Sequence, residues 1–162
     1  MVAAKAAARP LRVLCISGPN LQLLGTREPE IYGTETLAQL HLRFVALGKE
    51  LGATVNVRQS NHEGELLDWI GAARTGSDGI LINAAALTHT SLALYDAIRA
   101  VAVPTIEVHL SNPEAREAYR RSSMIAPACV ARVSGFGADS YLLALRGLVA
   151  HLQRVSRELR TA

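Results

Sequence analysis

Apolar positions along the 162-residue chain fall into two alternating rhythms. Short runs that are apolar on both faces, Leu11 to Ile16 and Gly79 to Asn83, read as central strands of a parallel sheet. Between such runs, apolar residues recur three and four apart. Leu37, Leu40, Phe44, Leu47 and Leu51 form one helical stripe, which Gly52 stops. Thr36 and Gln39 have capping-box spacing at its start, and Ser60 with Glu63 offers a second such box. A strand from Thr54 to Arg58 precedes a helix with Leu66, Leu67, Ile70 and Ala73 inward, ending near Gly76. The same pattern predicts a helix from around His89–Ser91 to Val101 and a strand from Pro104 to Val108. A short charged helix over Pro113 to Arg121 and a strand from about Ala128 to Val133 follow. The last helix, Asp139 to near Arg157, is the clearest, with Tyr141, Leu145, Leu148, Leu152 and Val155 on one stripe.

Strand and helix thus alternate about five times with short connections, which argues for one α/β domain with a parallel sheet and helices on both faces. Five strands favour the flavodoxin-like order 2-1-3-4-5. The domain is expected over residues 11–158, with a frayed tail at 1–10 and a short one at 159–162.

One connection breaks the pattern. Gly18 to Gly33, GPNLQLLGTREPEIYG, is long for a compact domain and carries two prolines and three glycines. It reads as a loop with hinge points, either a functional lid or a disordered insertion. It holds an amide (Asn20), a guanidinium (Arg27) and a phenol (Tyr32). A phenol titrates near ~10 when unperturbed, and a guanidinium close by stabilises its anion. Arg27 and Tyr32 can make that arrangement, but from the residues alone Tyr32 reads first as a packing residue.

Polar residues collect where strands end. Asn20 follows the first strand, Gln59, Ser60 and Asn61 the second, Asn83 the third, and His109, Ser111 and Asn112 the fourth. These share the carboxyl rim, where open α/β sheets bind ligands, and Asn20, Asn83 and His109 surround the expected switch point. His109 is the natural proton donor or acceptor at neutral pH, with His89 a second candidate. Glu107, two residues before His109 in the strand, either orients the ring or is simply a buried partner. Arg116 and Arg120 would share a helix face near Ser111 and can hold a carboxylate or hydroxyls, or form a solvated face with Glu117. Asp96 lies mid-helix as a surface charge or an interface residue.

Composition narrows the chemistry. The net charge is +3 without a basic run or an aromatic ladder, so nucleic-acid binding is not indicated. The alanine-rich start is too short and too weakly apolar for a signal peptide or a spanning helix. Two cysteines, Cys15 and Cys129, make no disulfide framework and point to the cytosol. Gly18 and Gly25 lack the spacing and the lysine of a phosphate loop, and Gly135-Phe-Gly137 lacks the third glycine of a dinucleotide site. No His/Cys spacing suits zinc, no serine sits in a nucleophile elbow, and Lys5 and Lys49 are poorly placed for imine chemistry. Acid–base catalysis without a metal or cofactor is left.

The blocks GPNLQLLGTREPEIYG, QSNHEGELLDWI, INAAALTHTSLALYDAI and IEVHLSN with AREAYRRSS closely resemble type II 3-dehydroquinate dehydratases, in order and spacing, from about Leu11 to about Leu152. The resemblance implies a flavodoxin-like fold and cofactor-free elimination of water from 3-dehydroquinate, in the shikimate pathway or in quinate catabolism. It implies Tyr32 as the base, Arg27 keeping that tyrosine ionisable, Asn20 stabilising an enolate through a water, and His109 protonating the leaving hydroxyl. Asn83, His89, Leu110, Ser111 and Arg120 would hold the substrate, with Glu107 behind His109 and Arg116 assisting. Asp96 matches a residue that reaches a neighbouring subunit's site, so trimers assembled into a dodecamer are implied. A flavin- or nucleotide-binding module on the same rim, or a non-catalytic relative, are the competing readings. The chain departs from the family pattern at Ser17, Gln22, Ala84-Ala85-Ala86, Tyr95 and Ser134.

Overall fold

A computed structural model describes residues 9–26 and 28–161. The tail residues 1–8 and the candidate Arg27 therefore lie outside the described residues. Five parallel strands, β1 (Leu11–Ser17), β2 (Ala53–Gln59), β3 (Gly79–Asn83), β4 (Thr105–His109) and β5 (Ala131–Ser134), form one sheet in the order β2-β1-β3-β4-β5. That is the expected flavodoxin-like order. Among the described residues, five α-helices accompany them: α1 (Pro29–Tyr32), α2 (Leu37–Glu50), α3 (Glu63–Gly76), α4 (Leu92–Val101) and α5 (Asp139–Thr161).

Alternation along the strands sends side chains to two cores. Val13, Cys15, Leu81, Ile106 and Val108 pack with Leu40 and Phe44 of α2 and Tyr141, Leu145 and Leu148 of α5. Leu14, Ile16, Ile80 and Ile82 pack with Leu66 and Ile70 of α3 and Leu94 and Ile98 of α4. β3 and β4 are buried along their whole length, β4 including the polar side chains of Thr105, Glu107 and His109, while the outer strand β2 alternates between buried and exposed. The Thr36 capping box forms in both directions: the Gln39 amide donates to Thr36 Oγ1 at 3.2 Å, and the Thr36 amide donates to Gln39 Oε1 at 2.9 Å.

Four local expectations are corrected. The second capping box does not form. Ser60 Oγ is committed to Glu65 and accepts from the His62 amide, so α3 starts at Glu63 behind His62. The Pro113–Arg121 segment is not a continuous helix. It makes two 3-10 turns, Pro113–Ala115 and Ala118–Arg120, with Arg116 extended between them (φ −98°, ψ −169°). The first loop is not structureless, since Leu21–Leu23 and Pro29–Tyr32 each close a helical turn. α5 continues to Thr161, past the expected end, because Thr161 Oγ1 donates back to the Arg157 and Glu158 carbonyls and Arg154 pairs with Glu158 one turn on.

Candidate active site

The site begins where β1 ends. A side chain at Gly18 would put its Cβ 2.7 Å from the Ala84 carbonyl oxygen, so only glycine lets the ends of β1 and β3 meet. The Gly18 amide donates to the Asn83 carbonyl at 2.8 Å. Two residues on, Asn20 adopts a left-handed conformation (φ 67°) that asparagine tolerates. Its amide donates to Asn61 Oδ1 at 2.9 Å, and Gln59 Nε2 donates to the Gly18 carbonyl at 3.2 Å and to Gln22 Oε1 at 3.1 Å. The rim of β2 thereby pins the first loop over the sheet's carboxyl edge.

Beneath that loop is a cavity of about 110 Å³. Asn20, Tyr32, Asn83, His89, His109, Leu110, Ser111, Arg116 and Arg120 line it, with Pro19, Leu21, Leu24, Ala85, Ala86 and Pro113 as apolar wall. Two acid–base pairs face it. Arg116 Nη1 donates to the Tyr32 hydroxyl at 3.0 Å, and its guanidinium carbon lies 5.7 Å from the centre of the Tyr32 ring. Against the burial that disfavours charge, the Tyr32 hydroxyl, with help from Glu117, holds Arg116 firmly in its cationic form. Glu117 lies between the two arginines, 3.3 Å from Arg116 Nε and 3.1 Å from Arg120 Nε.

The second pair is His109 and Glu107. His109 Nε2 lies 2.6 Å from Glu107 Oε1, and Glu107 is fully buried. Burial opposes ionisation of that carboxyl. The hydrogen bonds from His109 and Ser123 and the Arg132 charge outweigh it, so Glu107 stays below the usual carboxylate range. A carboxylate only accepts, so Nε2 carries a hydrogen and Nδ1 is the nitrogen left to exchange protons. His89 Nδ1 meets the Ser122 carbonyl at 2.7 Å, which likewise assigns its hydrogen to Nδ1. Asn83 is anchored from two sides: Oδ1 accepts from the Ala85 amide at 3.1 Å, and its side chain meets the buried Tyr141 hydroxyl, which also sits 3.4 Å from Ser17 Oγ.

Residues 11–149 match the family model "Dehydroquinase class II". The chain is 52% identical over 136 residues to a 3-dehydroquinate dehydratase of Rhizobium johnstonii, covering 84% of this chain and 94% of the relative. It is 54% identical over 145 residues to one of Nostoc sp., covering 90% and 99%. Its structure superposes on the type II dehydroquinase of Butyrivibrio crossotus with a TM-score of 0.84 at 40% identity, over 86% of this chain and 97% of that one. The chain belongs to the class II dehydroquinases.

In this dehydroquinase the cavity gathers most of the candidates named from sequence, but not all. Asp96 is exposed on α4 and does not line the cavity of its own chain. Arg116 and Arg120 do face the cavity, though from two separate turns rather than one helix face. Three further contributors lie outside the site residues that the sequence pattern singles out. Tyr141 belongs to the apolar stripe of α5, and that pattern carries no trace of its hydroxyl beside Asn83. Ser123 donates to Glu107 Oε2 at 2.8 Å, and Arg132 reaches the same carboxylate from β5. The register that sets Arg132 opposite Glu107 is the only signal for it, and that register becomes readable only once the strands are aligned. Among the described residues no three His, Cys, Asp or Glu side chains cluster as metal ligands do. Nor is any described helix long and apolar enough to cross a membrane.

Proposed function

We propose that this chain eliminates water from 3-dehydroquinate to give 3-dehydroshikimate through an enolate. The observation that carries the reading is that a cation-paired phenol, Tyr32, and a carboxylate-paired imidazole, His109, face one small cavity. Family membership and relatives that bear the dehydratase name support it. As a phenolate, Tyr32 takes the proton from C2, and the electron pair moves onto the ketone as an enolate. Asn20, at the pinned end of the loop, serves that enolate through a water. The enolate then collapses, the C1–O bond breaks, and His109 Nδ1 gives the departing hydroxide a proton so that it leaves as water. One proton must then pass from Tyr32 back to His109 to restore the starting state.

Arg116 stabilises the ionised tyrosine by its hydrogen bond, and Arg27 acts on the same phenol by resemblance. Arg120, Asn83, His89, Leu110 and Ser111 hold the substrate's carboxylate and hydroxyls, a task that suits a guanidinium beside polar strand ends. Asp96, exposed on α4, fits a contact with a neighbouring subunit's site, within trimers that assemble into a dodecamer in the cytosol. The same step serves aromatic biosynthesis and quinate breakdown, so the pathway follows from genetic context.

Conjugated enone absorbance should grow when 3-dehydroquinate is added, unaffected by borohydride or chelators. No absorbance at any pH would refute the reading. Tyr32→Phe and His109→Ala should each lower turnover by roughly 10²- to 10⁴-fold while leaving the circular dichroism unchanged. Sedimentation of the purified chain tests the assembly, and a monomer that turns over at full rate would remove Asp96 from the site.

A further inference from the structure

Glu107 holds a negative charge inside the sheet, with no exposure to solvent. In the reaction proposed above, on which this inference rests, His109 is a counter-ion for only part of the cycle. Once it has protonated the departing hydroxide it is neutral. A buried carboxylate left alone is strongly penalised and would take a proton itself.

We infer that Arg132 is the standing counter-ion of Glu107 and thereby a positioning residue for His109. Arg132 lies directly across the β4–β5 ladder from Glu107, so the register itself fixes its approach. Its Nε is 3.5 Å from Glu107 Oε1, the oxygen that also meets His109 Nε2 at 2.6 Å. That Nε is buried and has no hydrogen-bond partner, so the guanidinium supplies charge without taking the oxygen from the imidazole. Its Nη1 is 3.5 Å from Glu114 Oε1, which steadies the far end. Ser123 occupies the other carboxylate oxygen at 2.8 Å.

A guanidinium keeps its proton throughout the physiological range. When His109 is neutral, Arg132 still compensates Glu107. The carboxylate stays ionised, the Nε2 hydrogen stays on the ring, and Nδ1 remains the nitrogen that gives and regains a proton. The charged and titratable groups around this centre come from several elements. Arg132 is on β5 and Glu114 is in the Pro113–Ala115 turn after β4. Cys129, just ahead of β5, has a thiol pushed up to about 12 by burial and then by the Glu107 charge. His89, Arg116, Arg120 and Tyr32 lie across the cavity.

The test compares Arg132→Met, which keeps the length and removes the charge, with Arg132→Lys, which keeps the charge. Arg132→Gln replaces the methionine variant should that one not fold. With 3-dehydroquinate, the uncharged variant should lose about tenfold in kcat at neutral pH, a fraction of what general acid catalysis supplies, with KM within about twofold. Its activity should fall off at higher pH on the acid side than wild type, and lysine should restore both. In parallel, carbon NMR of carboxyl-labelled glutamate, recorded without substrate, should show Glu107 protonating at higher pH in the uncharged variant. A kcat–pH profile that superposes on wild type, or an equal loss in both variants at every pH with the Glu107 titration unmoved, would overturn the inference. If wild type fails to turn over 3-dehydroquinate, the functional reading fails, and the Glu107 titration still decides whether Arg132 is its counter-ion.

Discussion

Arg116 donates a hydrogen bond to the Tyr32 hydroxyl at 3.0 Å, tying the first loop of the chain to a turn that follows the fourth strand. A phenolate at this position would accept the same hydrogen bond and face the same positive charge. Removing the guanidinium should therefore impair proton abstraction. Arg116→Met is expected to lower kcat by roughly 10- to 100-fold, the scale of one hydrogen bond to a charged group. Arg116→Lys should recover only part, because an ammonium cannot bond Tyr32 and Glu117 with the same planar fork. Steady-state kinetics by enone absorbance checks both variants, and wild-type kcat in Arg116→Met would rule out this partnership.

Glu107 makes acid stability informative. Burial works against its ionisation, but His109, Ser123 and Arg132 prevail and its pKa falls on folding. A carboxyl lowered on folding adds stability above its unfolded value, near ~4.3, and that stability is lost as pH drops through the lower folded value. Urea unfolding of wild type should weaken on acidification through this window, and Glu107→Gln should show a shallower dependence. Parallel pH slopes would contradict the assignment. The glutamine variant should also lose roughly 10- to 100-fold in kcat, part of what general acid catalysis by His109 supplies.

A second acidic group provides a control remote from the cavity. Asp78, just before β3 on the opposite rim, takes two hydrogen bonds of 2.7 Å from the Arg9 guanidinium and one of 2.7 Å from the Arg12 amide. The Arg9 hydrogen bond, despite opposing burial, leads a set of contacts that hold its carboxyl well below the usual range. Asp78→Asn should cost about 1 kcal/mol at neutral pH, and the difference from wild type should fade as pH falls below the unfolded value. Because Asp78 lies outside the cavity, kcat and KM should be unchanged. A change in kcat would show that the two rims communicate.

Ala85 carries strain that can be relieved. Its φ of 53° is left-handed, and it lines the cavity. An alanine there costs about 1–2 kcal/mol, and glycine's greater freedom in the unfolded chain takes back about 0.5–1. The strain is larger, so Ala85→Gly should stabilise the protein by about 0.5–1 kcal/mol in denaturant melts. Destabilisation would mean that surrounding contacts, and not the backbone, hold this turn.

The parts of the site legible in advance are those governed by strand ends. Asn20, Asn83 and His109 each close or follow a parallel strand, and the carboxyl rim of the sheet gathers them whatever the loops do. The Pro113–Arg121 turns escaped because a nine-residue charged segment has too little helical drive of its own. Contacts of Arg116 with Tyr32, and of Glu117 with both arginines, set its path instead. Ser60 departs from its capping-box spacing for a similar reason: its hydroxyl has a nearer use with Glu65 and the His62 amide. Arg132 looks like an ordinary surface cation on an outer strand until its neighbour across the ladder is known.

The burial of Glu107 has a consequence for engineering. Replacing a buried charged pair with apolar residues of similar volume is often neutral, or stabilises by about 1–4 kcal/mol. A Glu107→Leu, Arg132→Leu double variant should therefore melt at or above the wild-type temperature while turning over roughly 100-fold more slowly or worse. Selection for thermal endurance alone would drive this sheet towards such an inert form. Directed evolution of the chain thus needs a turnover screen at every round.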